Sequence, residues 1–476
     1  MSETLLKFHR IPYGPPEPRA PEERVEDFHE IYREYLTAKA EQQASRCSQC
    51  GIPFCSSGCP LGNNIPDWLQ LTAEGRLKEA YEAAAATNPM PEVCGRICPQ
   101  DKLCEGNCVV ERAGFGTITI GAVERWITDN AFKEGWAEPI PVGPARPESV
   151  GIVGAGPAGM AAAEALRQQG VAVTLYDRYD RLGGLMIYGI PNFKLDKSHV
   201  ARRAERLAEA GVEFVLGWEL GRDGDLAWLR ERHEAVLLAF GAYDARRLDA
   251  PGAEAADTVP ALDFLTASNR KGLGDTVEEF ESGKLNAEGK RVVVVGGGDT
   301  AMDCVRTAIR QDASRVVCLY RRDRENMPGS AREVKSAEAE GVEFEWLSLP
   351  ESLKRHEGKY DIAVARMRLG EPGPDGRRQP EKVPDASELL EADLLIEALG
   401  FTPENASTLA GAPSIAINRW GAVETDPATL MTSEPGVFAA GDLARGASLV
   451  VWALRDALTA ARGITSWLDA QKQAAA

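Results

Sequence analysis

The sequence predicts an α/β protein in which two βαβ domains follow a mainly helical, cysteine-rich N-terminal region. Three observations predict it: a strand, glycine turn and helix beginning at Val150, a second such unit beginning at Arg291, and eight of the ten cysteines gathered within the first 108 residues. A length of 476 residues allows about three ordinary domains. With 44% hydrophobic and 26% charged residues, the composition is that of a globular protein. No apolar run approaches the ~18 residues that span a bilayer, so a membrane protein is not expected. The net charge of -18 argues against nucleic acid, which is bound by neutralising phosphates with Lys and Arg. Charges in the opening MSETLLKFHR occupy the place of a signal peptide's apolar core. The expectation is a cytoplasmic chain whose partners are proteins or small molecules.

The N-terminal cysteines come in two groups. Cys47, Cys50, Cys55 and Cys59 read C-x2-C-x4-C-x3-C-P, and Cys94, Cys98, Cys104 and Cys108 read C-x3-C-P-x4-C-x3-C. Each group has enough thiolates for one cubane iron–sulfur cluster, which points to electron transfer. Structural zinc is a competing reading, but it favours paired C-x2-C knuckles, and only Cys47 and Cys50 form one. A disulfide framework suits short secreted chains instead. Proline after Cys59 and Cys98 matches the ending of bacterial ferredoxin runs, where the fourth cysteine of a run serves the other cluster. Spacing therefore leaves open whether the groups exchange ligands. Cys304 and Cys318, set in apolar stretches, read as buried structural thiols.

Beyond a Pro-rich linker, residues 138–147, comes SVGIVGAGPAGMAAAEALRQQGVAVTLYD. Val150 to Val153 reads as a buried strand, Gly154, Gly156 and Gly159 form G-x-G-x-x-G, and a helix from Ala158 to Gln169 stops at Gly170. Gly154 permits the tight turn, Gly156 lets the backbone approach a pyrophosphate, and Gly159 lets helix and strand pack closely. Pro157 and Ala158 complete the helix N-terminus that faces the phosphates. Asp177, at the end of the next strand, is placed to accept hydrogen bonds from ribose hydroxyls.

RVVVVGGGDTAMDCVRTAIRQDASRVVCLYRRDR repeats the design. Gly296, Gly298 and Ala301 form G-x-G-x-x-A, with Asp299 and Thr300 at the helix start. Its second strand ends in Tyr320, Arg321 and Arg322 where the first unit offers an acid. Arginine at that place accommodates a ribose 2′-phosphate and so favours NADPH over NADH, although a solvated pair of arginines is the alternative. Arg332, in MPGSARE, is a further candidate phosphate contact. Near the C-terminus a strand, Val437 to Ala440, leads to Gly441 and Asp442, and a helix follows near Ser448. Asp442 can accept hydrogen bonds from a flavin ribityl chain, or simply cap a helix.

The order G-x-G-x-x-G, then G-x-G-x-x-A with arginines, then A-G-D resembles the flavoproteins with two Rossmann-like dinucleotide-binding domains, in which the NADP domain is inserted into the FAD domain. The segment RLGGLMIYGIPNFKL, from Arg181 to Leu195, is similar to that family's FAD segment, and the likeness implies that Gly184, Leu185 and Lys194 lie along the flavin. LLAFGAYD and LIEALGF, the latter carrying Gly400, resemble the crossover strands. The implied division is 1–145 for the iron–sulfur domain, 146–246 with 402–476 for the FAD domain, and 247–401 for the NADPH domain. Disulfide reductases of this architecture need a redox-active cysteine pair, and none lies near the flavin segment here.

Joined to the cysteine region, nearly the whole chain resembles the small (β) subunit family of NADPH-dependent glutamate synthases, through KFHRIPYGPPEPRAPEERVEDFHEIY, QASRCSQCGIPFCSSGCPLGNNIPDWL and VCGRICPQDKLCEGNCV. That resemblance implies FAD, NADPH and two [4Fe-4S] clusters, one on Cys47, Cys50, Cys55 and Cys108, the other on Cys59, Cys94, Cys98 and Cys104. It implies hydride transfer by positioning, without a catalytic side-chain acid, and electron relay to a large (α) subunit in a hetero-oligomer. There L-glutamine and 2-oxoglutarate would become L-glutamate. The alternative is a ferredoxin:NADP oxidoreductase-type subunit with another partner. Ala20 to Lys39 reads as an amphipathic helix bearing Val25, Phe28, Ile31 or Tyr32, and Tyr35 on one face, either a docking surface or part of the cysteine domain's core.

Overall fold

The computed structural model describes residues 4–373 and 378–475, and the first three residues of the charged opening lie outside them. Its first parallel sheet has the order Val437–Ala439, Ala235–Leu238, Ser149–Val153, Ala172–Asp177 and Glu213–Leu216. The second has the order Val259–Pro260, Leu394–Glu397, Arg291–Val295, Arg315–Tyr320 and Glu343–Trp346. Because Val437–Ala439 returns to the first sheet, the second is an insertion in the first. Asp244–Ala245 and Phe401–Thr402 pair antiparallel where the chain leaves and returns.

Continuous aliphatic runs make the central strands. RVVVV is buried from its second residue onward, as expected for a parallel strand covered on both faces. Pro157 opens the helix Pro157–Gln168, where a missing N–H costs nothing, and Gly170 follows its end at φ 80°. The long helix Val450–Ala475 packs over it. The inserted domain also carries an antiparallel meander, Ser348–His356, Lys359–Pro372 and Arg378–Ala392, which the glycine motifs do not announce.

The N-terminal region is helical, with Thr37–Ala44, Ile65–Ala73, Leu77–Ala85 and Ile120–Lys133 packed around Trp68, Leu69, Val123 and Ile127. Fully buried Arg46 ties its loops together by donating to the carbonyls of Ile11, Phe115, Gly116 and Thr117. The helix Pro91–Ile97 is shared: Met90, Val93 and Cys94 belong to the apolar core of the first sheet domain.

Residues 20–39 depart from the expected amphipathic helix. Only Pro21–Arg24 is helical before Thr37, and an isolated bridge joins Pro18 to Tyr32. Asp27 accepts the His29 backbone N–H at 2.9 Å, a local bond that competes with helix. The apolar residues instead serve an extended strap. Asn192 donates to the Phe28 carbonyl at 3.0 Å, Arg24 meets Glu340 at 3.5 Å, and Glu30 accepts from Arg96 at 2.6 Å.

Candidate functional site

All three regions meet at one cleft of about 260 Å³. The first glycine turn forms one wall. Gly154 has φ 106°, and a Cβ there would lie 2.4 Å from the Ala239 carbonyl oxygen. At Gly159 a Cβ would lie 1.9 Å from the Gly154 oxygen, whereas one on Gly156 would meet no protein atom within 4 Å. Gly154, Gly156, Pro157 and Ala158 line the cleft, so this open backbone suits the close approach of a pyrophosphate. Asp177 is buried and accepts the N–H groups of Ala155 at 2.6 Å and Tyr179 at 2.8 Å. It therefore holds the turn itself while each oxygen keeps a lone pair for a ligand. Burial raises its pKa from the ordinary aspartate value.

Gly184 and Leu185 cross this wall, a Cβ on Gly184 falling 2.9 Å from the Gly156 Cα. Gly441 approaches Ala158, and Asp442 accepts the Ser448 backbone N–H at 3.1 Å. Both line the cleft, and burial pushes the Asp442 carboxyl up to about 7. A carboxyl so poorly solvated is suited to meet ligand hydroxyls.

The second turn faces the same space. Asp299 and Thr300 line it, and Asp299 accepts the Ser330 N–H at 2.9 Å. Gly298 opens on free space, while Ala301 is buried in the domain core. Arg321 is exposed and Arg322 half-buried at the end of Arg315–Tyr320, outside the cleft lining, with Arg322 Nε lacking a hydrogen-bond partner. Gly400 also lies outside the lining, where its carbonyl accepts the Arg246 N–H at 3.0 Å.

Lys194 and Arg332 make contacts that their positions in sequence do not foretell. Lys194 Nζ lies 2.8 Å from Asp303 and 3.7 Å from Glu333, so it bridges the first domain to the inserted one. Asp303 was missed, its only signal being an acid on a helix that is otherwise largely buried. Arg332 reaches the cysteine region, donating to Gln100 at 2.9 Å and Glu105 at 3.2 Å.

The thiols sort across the two sequence groups. Cys47, Cys50, Cys55 and Cys108 line one small cavity with Leu69, Ile118 and Ile120. Cys59 lies within electrostatic range of Cys94, Cys98 and Cys104, and the Cys98 backbone N–H donates to the Cys94 carbonyl at 3.2 Å. Cys98 also lines the large cleft. Among the described residues, no three His, Cys, Asp or Glu side chains converge on a single-ion site. Four thiols around one cavity supply the ligand number of one cubane cluster. Burial pushes Cys47 up to about 12 and Cys55 and Cys59 to about 11, so ligation must displace protons. Cys304 and Cys318 are fully buried in the inserted domain.

Residues 148–474 match the family described as pyridine nucleotide-disulphide oxidoreductase, and residues 24–136 match dihydropyrimidine dehydrogenase domain II, 4Fe-4S cluster. The fold is similar to that of Mycobacterium tuberculosis FprA in complex with NADPH, with a TM-score of 0.58 and 19% identity over 69% of this chain and 86% of that one. The family matches define an oxidoreductase of the pyridine nucleotide type, joined to an iron–sulfur domain. The chain is 53% identical to the glutamate synthase [NADPH] small chain of Azospirillum brasilense over 99% of this chain and 98% of that protein. It is 43% identical to the Escherichia coli K12 small chain over 98% of this chain and 100% of that protein. It belongs to the glutamate synthase [NADPH] small-chain family. None of its described helices is long and apolar enough to cross a membrane.

Proposed function

We propose that this chain is the electron-input subunit of a glutamate synthase, passing electrons from NADPH to a large subunit that makes L-glutamate from L-glutamine and 2-oxoglutarate. The observation that carries the reading is the single cleft lined by Gly156, by Asp299 and Thr300, and by Cys98. When bound, FAD accepts a hydride from NADPH, and the clusters carry electrons away singly.

The protein's own part is placement and exclusion of water. The helix N-terminus behind Gly156 and Pro157 receives the FAD pyrophosphate, Asp177 and Asp442 accept from its hydroxyls, and Gly184 and Leu185 lie along it. Gly296 to Ala301 receive the NADPH pyrophosphate. Arg321 and Arg322 meet its 2′-phosphate, while Arg332 is assigned to the seam with Glu105. Two four-iron clusters are assigned, on Cys47, Cys50, Cys55 and Cys108 and on Cys59, Cys94, Cys98 and Cys104, because the thiols neighbour one another in these sets. The domain division is 1–145, 146–246 with 402–476, and 247–401. The thiol-held clusters suit a reducing cytoplasm.

Two measurements test the reading. Purified anaerobically, the chain should hold one flavin and about eight irons, both bleached by NADPH. Mixed with the large subunit, it should support NADPH-dependent glutamate formation. A colourless protein, or one whose reduction never reaches the large subunit, overturns it.

A further inference from the structure

We infer that the helix Lys197–Glu209 is a strut that sets the separation of the flavin wall from the second thiol set, with Arg203 as the positioning residue for electron transfer between them. This rests on the cofactor assignment above. Arg203 and Glu92 are 3% and 1% exposed. Arg203 donates through Nε and Nη2 to Glu92 Oε1 at 3.0 and 2.8 Å, and through Nη1 to Glu164 Oε2 at 2.9 Å. Glu92 sits on Pro91–Ile97, the helix of Cys94, and Cys98 follows that helix directly. Glu164 sits on Pro157–Gln168, the helix that begins at the first glycine turn. One guanidinium thus joins the thiol-bearing helix to the nucleotide-turn helix.

The other end of the strut grips the cleft itself. Buried Lys197 donates to the carbonyls of Met186, at 2.9 Å, and Ile190. Met186 and Ile190 both line the cleft. Lys197 and Arg203 are held about 9 Å apart along one rigid helix by a rise of about 1.5 Å per residue. The cleft wall and the thiol helix are therefore fixed from a common element.

Stability alone does not account for this cluster of charges. Met90, Val93 and Cys94 already pack with Val150, Ala161 and Leu166 in one apolar core, and replacing a buried ion group by apolar side chains is often neutral or stabilising. Apolar contacts let helices slide, whereas the planar fork of arginine fixes direction as well as contact. The step concerned moves one electron at a time from reduced flavin to an oxidised cluster, with no bond made or broken between them. Hydride transfer from NADPH to the flavin does not cross this separation, so it serves as the internal control.

The test uses the full chain carrying flavin and iron, with the two steps followed separately: flavin bleaching by stopped flow and cluster reduction by freeze-quench electron paramagnetic resonance. Arg203→Met should leave bleaching by NADPH unchanged and slow cluster reduction severalfold. Arg203→Lys, which keeps the charge but loses the planar fork, should recover little of the loss. Should Arg203→Met fail to fold, Glu92→Gln, which keeps an acceptor while removing the charge, carries the same expectation. Cluster reduction that keeps pace with bleaching at full flavin and iron content overturns the inference, as does an equal fall in both steps. A parent protein without flavin or iron would instead overturn the cofactor assignment on which it rests.

Discussion

The two glycine turns share a backbone design and differ in what surrounds it. The helix after the first, Pro157–Gln168, buries Met160, Ala161, Ala162, Ala163 and Leu166, with Glu164 alone among its buried residues carrying a charge. The helix after the second, Asp299–Arg310, buries Asp303, Arg306 and Arg310. Arg306 pairs with Glu333 at 2.5 Å and Glu340 at 2.8 Å, and Arg310 with Glu340 at 2.7 Å. Phe193 of the first domain packs against both guanidiniums, their carbons 4.6 and 4.0 Å from its ring centroid. The first turn is thus built into a dry core. The second carries a buried charged network of its own domain, against which Phe193 of the first domain packs. The strand ends differ likewise: Asp177 is taken up by its own turn, whereas Arg321 and Arg322 project beyond the cleft.

The sharpest way to break this comparison lies at the first turn. Gly154→Ala should abolish flavin binding and destabilise the fold by about 2–4 kcal/mol, because it combines a left-handed φ with a backbone overlap. Gly156→Ala should lose flavin with a thermal midpoint close to the parent's, since its Cβ meets only the ligand's space. Flavin absorbance per chain and thermal unfolding read both, and equal destabilisation would remove the distinction. At the second turn, Arg321→Gln with Arg322→Gln should raise KM for NADPH by about 10- to 100-fold while changing that for NADH by less than about twofold, since charge-assisted bonds contribute about 1.5–3 kcal/mol. Equal changes for both nucleotides would refute their 2′-phosphate role.

A smaller effect concerns pH in the flavin-free protein. Asp442 rises from 3.8 to about 7 through burial, so the folded chain binds its proton more tightly than the unfolded chain does. Its contribution is fully present below pH 3.8 and is lost as pH rises to about 7. Asp442→Asn should flatten this part of the stability profile by on the order of 2 kcal/mol, discounted for partial exposure. Chemical denaturation at pH 5 and pH 8 measures it, and an unchanged slope would show that the carboxyl is not desolvated.

Much of this molecule was legible in the sequence because its determinants are local. The strands Ser149–Val153 and Arg291–Val295 and the helices after them follow from aliphatic runs, glycine turns and Pro157, and the fold class follows from their order. The strap at residues 20–39 departs from its sequence pattern for the opposite reason. Its apolar spacing suits a helix, but its partners Asn192, Glu340 and Arg96 come from distant parts of the chain. Asp303, Arg203 and Glu92 were likewise invisible, since nothing local marks a charge whose partner lies on another helix.

What the sequence by itself determined is the chemistry available: eight N-terminal thiols, two glycine turns and the pair of arginines. What only the tertiary structure decided is how these are apportioned. It brings Cys108 to the first three thiols, places Cys98 in the cleft between the turns, and pairs Arg332 with Glu105. Spacing along a chain fixes which groups can be neighbours on one element, but proximity between elements is set by the packing of their buried faces.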